Sequence, residues 1–492
     1  MGHTMKAPPP AAGGHVYPLH MFDDTKQVRK MIMPWTFRFD APLDAEKLRD
    51  ALARLLDTGD WRKLAGRLHF TKAGRLEIHV PETFTDECPR FTYTHNDRSA
   101  VAIDEDELGH RFPKSLKKAC VYGSVPEFIQ YAMPPGAPKS IEEYVRRRVP
   151  QLALVITSFK DTTLIGLSWP HTLMDGVGQK ELLAAWSLAL AGREQNIPQL
   201  LGAREDVAWD IAGQFTEDGL EKDAFGDRLL KGLNRYIFIS KLVWNNLASG
   251  ATETRTFYLP RDFVEQQRQA AIGLLPNDTD TERPPFLSDG DVVCAWFVKM
   301  VSSTRPKPAQ FVVAGAVNAR DKVPQIRKAN GVYVQNLLSL YFVQISADQA
   351  AGPLAHIALA HRRQVAEQST EHQLIHHFMK KRREADSKKS GDKLMLYCHQ
   401  DDLLIMSNNL SRIGIAEAAD FGPAVLPNED GSRSPGKAVY YHFQSSLGSG
   451  VGSGVPSFYV YSKDDSGYWI RANASRRTWD KIMEEIGVSD VQ

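Results

Sequence analysis

The sequence predicts a two-domain α/β protein in which each half lays helices against mixed sheets. Three observations carry this. At 492 residues the chain exceeds the length at which a single hydrophobic core stops growing. Short β-rich apolar runs alternate with amphipathic stretches in both halves, without an internal repeat. Between the halves, residues 194–251 have weaker periodicity, scattered aromatics (Trp209, Tyr236, Trp244) and one helical stretch at 227–247, which reads as a connecting arm. The expected division is a disordered N-terminus at 1–14, a first lobe at 15–195, an arm at 196–250 and a second lobe at 251–492, with 400–425 crossing back towards the first.

In order, 31–39 (MIMPWTFRF) is a strand and 44–56 an amphipathic helix with Asp44 as its N-cap. Residues 61–70 lead into a short alternating strand at 76–80, 97–113 is an acidic surface segment, and 140–149 is a short helix. The half is organised around 163–186, TLIGLSWPHTLMDGVGQKELLAAW. Ile165, Leu167 and Trp169 mark a buried strand, separated from another at 152–159 by the turn pair Lys160-Asp161. Pro170 has no amide hydrogen for a ladder, so the strand ends there. Val177, Leu182, Leu183, Trp186 and Leu190 then recur at helical spacing up to Gly192, a C-cap.

The second half starts with a strand at 254–259, a helix at 261–271 and a polar loop at 276–285. Ser288-Asp289-Gly290-Asp291 is an N-cap cluster for a helix at 292–302. Strands follow at 311–317 and 332–345, then a helix at 354–368. Apolar runs at 394–406, 438–443, 458–461 and 468–474 complete the sheet, and a helix at 478–486 ends it.

Composition excludes several classes of function. Lys+Arg 60 against Asp+Glu 59 gives no global charge to recruit nucleic acid or an anionic membrane. Cys88, Cys120, Cys294 and Cys398 are far apart and form no C-x-x-C, so neither a zinc site nor a disulfide framework is indicated. With no signal segment and no run approaching a membrane span, the expectation is a cytoplasmic monomer.

Two segments share the spacing His-x-x-x-Asp, His20 to Asp24 and His171 to Asp175. A chain of this size yields about one such match by chance. His20 sits in a polar segment with no strand before it and no glycine after it, and reads as the chance match. His171 follows an apolar strand and precedes Gly176 and Gly178, where a substrate could approach the backbone. Rigid elements on both sides would hold a base there; a core histidine satisfied by a carbonyl is the plainer alternative.

Pro170-His171-Thr172-Leu173-Met174-Asp175-Gly176 resembles the HxxxD(G) motif of the BAHD acyltransferases, which use coenzyme A thioesters. Val317-Asn318-Ala319-Arg320-Asp321-Lys322 resembles the family's V-D/N-x-R-x-R/K stretch, and Tyr333-Val334-Gln335-Asn336 its Y-x-G-N segment. Asp420-Phe421-Gly422 resembles the start of its DFGWG motif, so the match runs from about residue 16 to the C-terminus. The chain is more similar to the fungal trichothecene 3-O-acetyltransferase-like branch than to the plant branch. It departs from the family at Pro423-Ala424, where Trp-Gly is usual, at Gln335 in place of Gly, and at Ser407-Asn408, where Ser-Trp is common.

The resemblance implies a chloramphenicol-acetyltransferase-like fold with an active-site channel between two domains. It implies transfer of an acyl group, acetyl first, from acyl-CoA as co-substrate to a hydroxyl of a small natural product, with no permanently bound cofactor and no metal. His171 would be the general base, and Asp175 would pair with Arg320 in a structural role beside Gly176. Asn318, Ser407 and Asn408 would stand near the substrates, with a buried turn residue the equal alternative for Asn318. No G-x-S-x-G elbow suggests a covalent intermediate. Condensation-type amide or ester formation from a carrier-protein thioester is the alternative enzyme, since condensation domains carry HHxxxDG, but residue 170 is proline. A repurposed protein using the same cavity for binding or another reaction is the third reading.

Three further features invite a function. Lys380-Lys381-Arg382-Arg383, with Lys388, Lys389 and Lys393, could grip the phosphates of coenzyme A, although a charge run is commonly a solvated face. In Glu371-His372…His376-His377 the i,i+4 histidines have metal-like spacing but lack a third ligand at a suitable spacing, and the stretch reads as an exposed helix. The glycine-rich stretch 448–454 lacks the lysine and helix of a phosphate loop, and reads as a flexible loop near the site mouth.

Overall fold

The structure, a computed structural model, describes residues 14–114, 118–248, 252–277, 285–386, 395–427, 434–444 and 454–491. Lys388, Lys389, Lys393, the N-terminus to residue 13, most of the polar loop at 276–285 and all but Gly454 of the glycine-rich stretch lie outside the described residues.

A five-stranded sheet has the order β13 (Tyr440–Phe443), β2 (Ile32–Phe39), β8 (Thr163–Pro170), β7 (Ala153–Phe159), β5 (Thr92–Arg98). Every residue of β2 and β8 is buried, the polar Thr36, Arg38, Thr163 and Ser168 included. The helices Ala45–Leu55 and Gly176–Leu190 pack together on this sheet, joined by Trp186 Nε1 donating to Leu48 O. Gly166 of β8 must be glycine, because a Cβ there would lie 1.9 Å from Tyr131 O. Asp44 caps its helix as its sequence position implies, accepting from the amides of Glu46 and Lys47.

A seven-stranded sheet has the order β11 (Leu338–Ile345), β10 (Phe311–Asn318), β12 (Leu403–Asn409), β14 (Ser457–Lys463), β15 (Gly467–Ser475), β9 (Thr252–Pro260), β6 (Cys120–Tyr122). β12 is parallel to both β10 and β14, and the remaining pairs in this sheet are antiparallel. The helices Asp289–Ser303 and Leu354–Gln368 share a core with it, and Ser288 and Asp291 cap the former reciprocally. A small third sheet joins β1 (His15–Pro18), β4 (Leu76–Val80) and β3 (Arg67–Phe70).

Most strands keep to their own half of the sequence, and two do not. β6 adds to the edge of the seven-stranded sheet beside β9, and β13 adds to the edge of the five-stranded sheet beside β2. The chain crosses between them at 409–425. Phe421 is fully buried there, stacked on Phe39 with ring centres 5.2 Å apart and tilted against Trp186 at 4.6 Å. Asp420 accepts from the Gly422 amide, so the residues 420–422 form an anchor of the later chain on the first sheet.

Three expected elements differ. The acidic stretch 97–113 buries Ile103 and Phe112. The run at 394–406 becomes a strand only at Leu403, because Leu396, Tyr397 and Cys398 instead fill a core against Phe225 and Phe342. Within 332–345 only Leu338–Ile345 is a ladder strand, and Val332 bridges to Leu200 of the arm.

Candidate active site

His171 is the first residue beyond β8, and its amide donates to Met31 O at 2.8 Å. The five-residue loop from His171 to Asp175 is short and internally bonded, with Leu173 N donating to Pro170 O and Trp169 Nε1 to Met174 O. Asp175 then caps the helix Gly176–Leu190 through Gly178 N at 2.9 Å. The helix start packs so closely on 332–336 that a Cβ at Gly178 would lie 2.1 Å from Val334 O. A Cβ at Gly176 would meet ordinary contacts at 3.6 Å and beyond, so the glycine that the packing requires is Gly178.

Asp175 is engaged by the second half of the chain. Arg320 Nη1 and Nη2 donate to its two oxygens at 3.0 and 3.1 Å, and Leu337 N adds a bond at 3.1 Å. Arg320 in turn donates to Tyr333 O, Gln335 O and Asn318 Oδ1. Asn318 therefore holds Arg320 and, through Nδ2, Asp321, which makes it a buttress of the pair.

Protein surrounds His171, and the residue as a whole keeps a little accessible surface. Burial lowers its pKa below the usual 6.5, and its own main-chain carbonyl, Asp175 and Asn336 oppose that only in part. The imidazole is neutral at pH 7. Nδ1 is enclosed without a hydrogen-bond partner. A neutral imidazole is chemically able to accept a proton.

Sequence reasoning misjudged the segment around His20. β1 does precede it, and His20 and Asp23 are 4% and 1% exposed. Its polar residues are satisfied from far along the chain: His20 Nε2 lies 2.6 Å from Gly202 O, and Asp23 accepts from Asn336 N and Nδ2 at 2.8 and 2.7 Å. Asn336 Nδ2 also donates to His171 O at 2.9 Å. Polarity is a surface signal only when the partners are not inside.

Other singled-out residues are placed as follows. Ser407 is buried and paired with Tyr341 Oη at 3.0 Å, while Asn408, on the other face of β12, is half-buried. Lys380 pairs with Asp223 at 2.5 Å over the rings of Phe225 and Tyr397, and Lys381 pairs with Glu384 at 3.0 Å. Arg382 donates to Trp209 O and lies over its ring, and Arg383 pairs with Glu217, so the described part of the basic run is engaged within the chain. The histidine helix is not exposed at its core: His376 bonds Glu221 O and His377 stacks on Phe22. Metal-ligand spacing occurs instead where the register of β3 and β4 gathers His69, Glu77 and His79 on a surface hairpin.

No family model matches the chain. It is 33% identical over 489 residues to the O-acetyltransferase PaAT-2 of Phomopsis amygdali, covering 96% of this chain and 97% of that one. It is equally 33% identical over 478 residues to the acetyltransferase pyiB of Pyricularia grisea, covering 95% and 93%. Among solved structures, F. graminearum TRI101 complexed with coenzyme A and T-2 mycotoxin aligns over 96% of this chain and 97% of its own with a TM-score of 0.66, at 16% identity.

Proposed function

The chain belongs to the BAHD acyltransferase family, on its fungal trichothecene 3-O-acetyltransferase-like branch, and we propose that His171 is the general base of its acyl transfer. The enzyme moves an acyl group from acyl-CoA to a hydroxyl of a small natural product, and acetyl is the group we assign. An alcohol is a weak nucleophile until its proton is being removed. The neutral imidazole takes that proton as the oxygen attacks the thioester carbonyl. The tetrahedral intermediate then expels the coenzyme A thiolate, which recovers the proton from His171.

The observation that carries this reading is the buried imidazole of His171, its pKa held below the usual value, four residues before an Asp175 paired with Arg320. An aspartate so engaged supports a structural role for the pair, holding the loop rather than relaying charge. We assign the two sheets to two lobes, divided near 195 and 251, with His171 where they meet. Four cysteines, all thiols, support a reducing cytoplasmic setting, and we read the enzyme as a monomer. Among the described residues no helix is long and apolar enough to cross a membrane.

The test is mass spectrometry of purified protein with acetyl-CoA and an extract of candidate alcohols. A product heavier by one acetyl group, lost in His171→Ala, supports the reading. Acetylation that persists in His171→Ala overturns the base assignment, and amide products alone overturn the hydroxyl acceptor.

A further inference from the structure

In a Ser-His-Asp triad an aspartate orients the histidine ring, but here Asp175 is committed to Arg320 and the Nδ1 of His171 has no partner. The ring's orientation then depends on how firmly its own main chain is held. Its amide is bonded to Met31 O of the stretch leading into β2. Its carbonyl is bonded to Asn336 Nδ2, whose two hydrogens are divided between His171 O and Asp23 Oδ1. Asp23 Oδ1 also accepts from Asn336 N, so a single carboxylate oxygen fixes both the backbone and the side chain of the residue that grips the base loop.

The amide has one possible orientation. Asn336 Oδ1 is buried without a partner, an unfavourable arrangement. Turning the amide over would place that oxygen against the Asp23 carboxylate and the His171 carbonyl, two acceptors at once. The orphaned oxygen is the lesser penalty, and it marks how strongly Asp23 sets the plane of the group. Asp23 is 1% exposed, and the amide of His20, 3.4 Å from Oδ2, steadies its other oxygen.

We infer that Asp23 is a positioning residue for acyl transfer: through Asn336 it fixes the carbonyl of His171, and with it the direction in which the base presents its ring. The inference rests on His171 being the base. It gives the N-terminal segment, dismissed by its spacing and polarity, a part in the rate of the reaction without contact with either substrate.

The experiment compares Asp23→Ala, Asp23→Asn, Asn336→Ala and His171→Ala, using thiol release from acetyl-CoA with an acceptor alcohol taken from the mass-spectrometric screen, normalised to folded protein. A misplacement of about 1 Å can cost on the order of 100-fold, so Asp23→Ala should lose about that much in kcat while KM for acetyl-CoA stays within about twofold. Asp23→Asn retains an Oδ1 able to accept both bonds from Asn336, and should return to within about fivefold of the parent. Asn336→Ala should lose as much as Asp23→Ala, and the double variant no more than either. Should Asp23→Ala fail to fold, Asn336→Ala, which keeps a main-chain donor for the carboxylate, decides the matter.

A pH profile separates positioning from plain stability. Burial pushes the Asp23 carboxyl up to about 7, with Lys63 lowering it and Asp206 raising it from the surrounding elements. Loss of its charge weakens its hold on Asn336, so kcat of the parent should show a limb near pH 7 that Asp23→Asn lacks. A folded Asp23→Ala or Asn336→Ala with kcat within twofold of the parent, beside an inactive His171→Ala, overturns the inference. An active His171→Ala overturns the base assignment instead.

Discussion

His20 and His171 each stand four residues before an aspartate, and each is largely enclosed by protein. The difference between them lies in what the ring touches. His20 is bound through Nε2 to the Gly202 carbonyl, and burial, with Lys63 nearby, drives its pKa down to about 4. His171 has an enclosed Nδ1 with no partner, in a residue that is not fully buried. The aspartates differ too: Asp24 bonds Arg29 and the Leu76 amide within its own half, whereas Asp175 reaches Arg320 across 145 residues. A buried histidine with its bonding satisfied is a strut. A buried histidine left unsatisfied at the edge of a space is available for chemistry.

The sharpest way to break this comparison is to remove each ring. His171→Ala should lower the acylation rate by about 10²–10⁴-fold with folding retained. His20→Ala should leave kcat within about threefold while lowering the melting temperature, as loss of a buried hydrogen bond costs about 1–3 kcal/mol. Equal rate losses would erase the distinction.

The aspartates give the next largest effect, this time in stability. Asp175→Asn and Arg320→Gln each strand a buried partner, which typically costs about 3–5 kcal/mol, and the double variant should lose less than the sum. Single-turnover rates of the folded fraction should fall less than in His171→Ala. A triad-like aspartate would show the reverse: an unchanged melting temperature and a rate as low as that of the histidine variant.

The smallest effect is in pH dependence, and here the two histidines act on different observables. A base works when neutral, so the His171 limb of kcat should lie below pH 6.5, with activity falling as pH falls through it. His20 acts on stability instead. Its folded pKa of about 4 lies below the unfolded 6.5, so its contribution is full above pH 6.5 and is lost as pH falls towards 4. Denaturation midpoints of the parent and His20→Ala between pH 4 and 7 should converge towards the acid end.

Much of this was legible in the sequence because it is local. β2, β8, the helix Gly176–Leu190 and the caps Asp44 and Ser288 follow from periodicity and side-chain chemistry within a few residues. The partnership of Asp175 with Arg320 came from resemblance alone, since no spacing rule joins them. What escaped was long-range polar satisfaction. Asp23 finds Asn336 at a separation of 313 residues, and Lys380 finds Asp223 at 157, so both looked like solvated charges. β6 and β13 are three and four residues long, too short to show a period, and their sheet is chosen by which edge lies open.

The placement of β13 also bears on how this chain is made. The strand that closes one edge of the first sheet is Tyr440–Phe443, some nine-tenths of the way along the chain, and β2 has no neighbour on that side before it arrives. During synthesis the nascent first sheet must wait with the β2 backbone, and Trp35 and Phe37 on it, lacking their Phe443 and Tyr441 cover. A fragment ending at the arm would carry that open apolar edge permanently, so the two halves are to be expressed as one polypeptide or not at all.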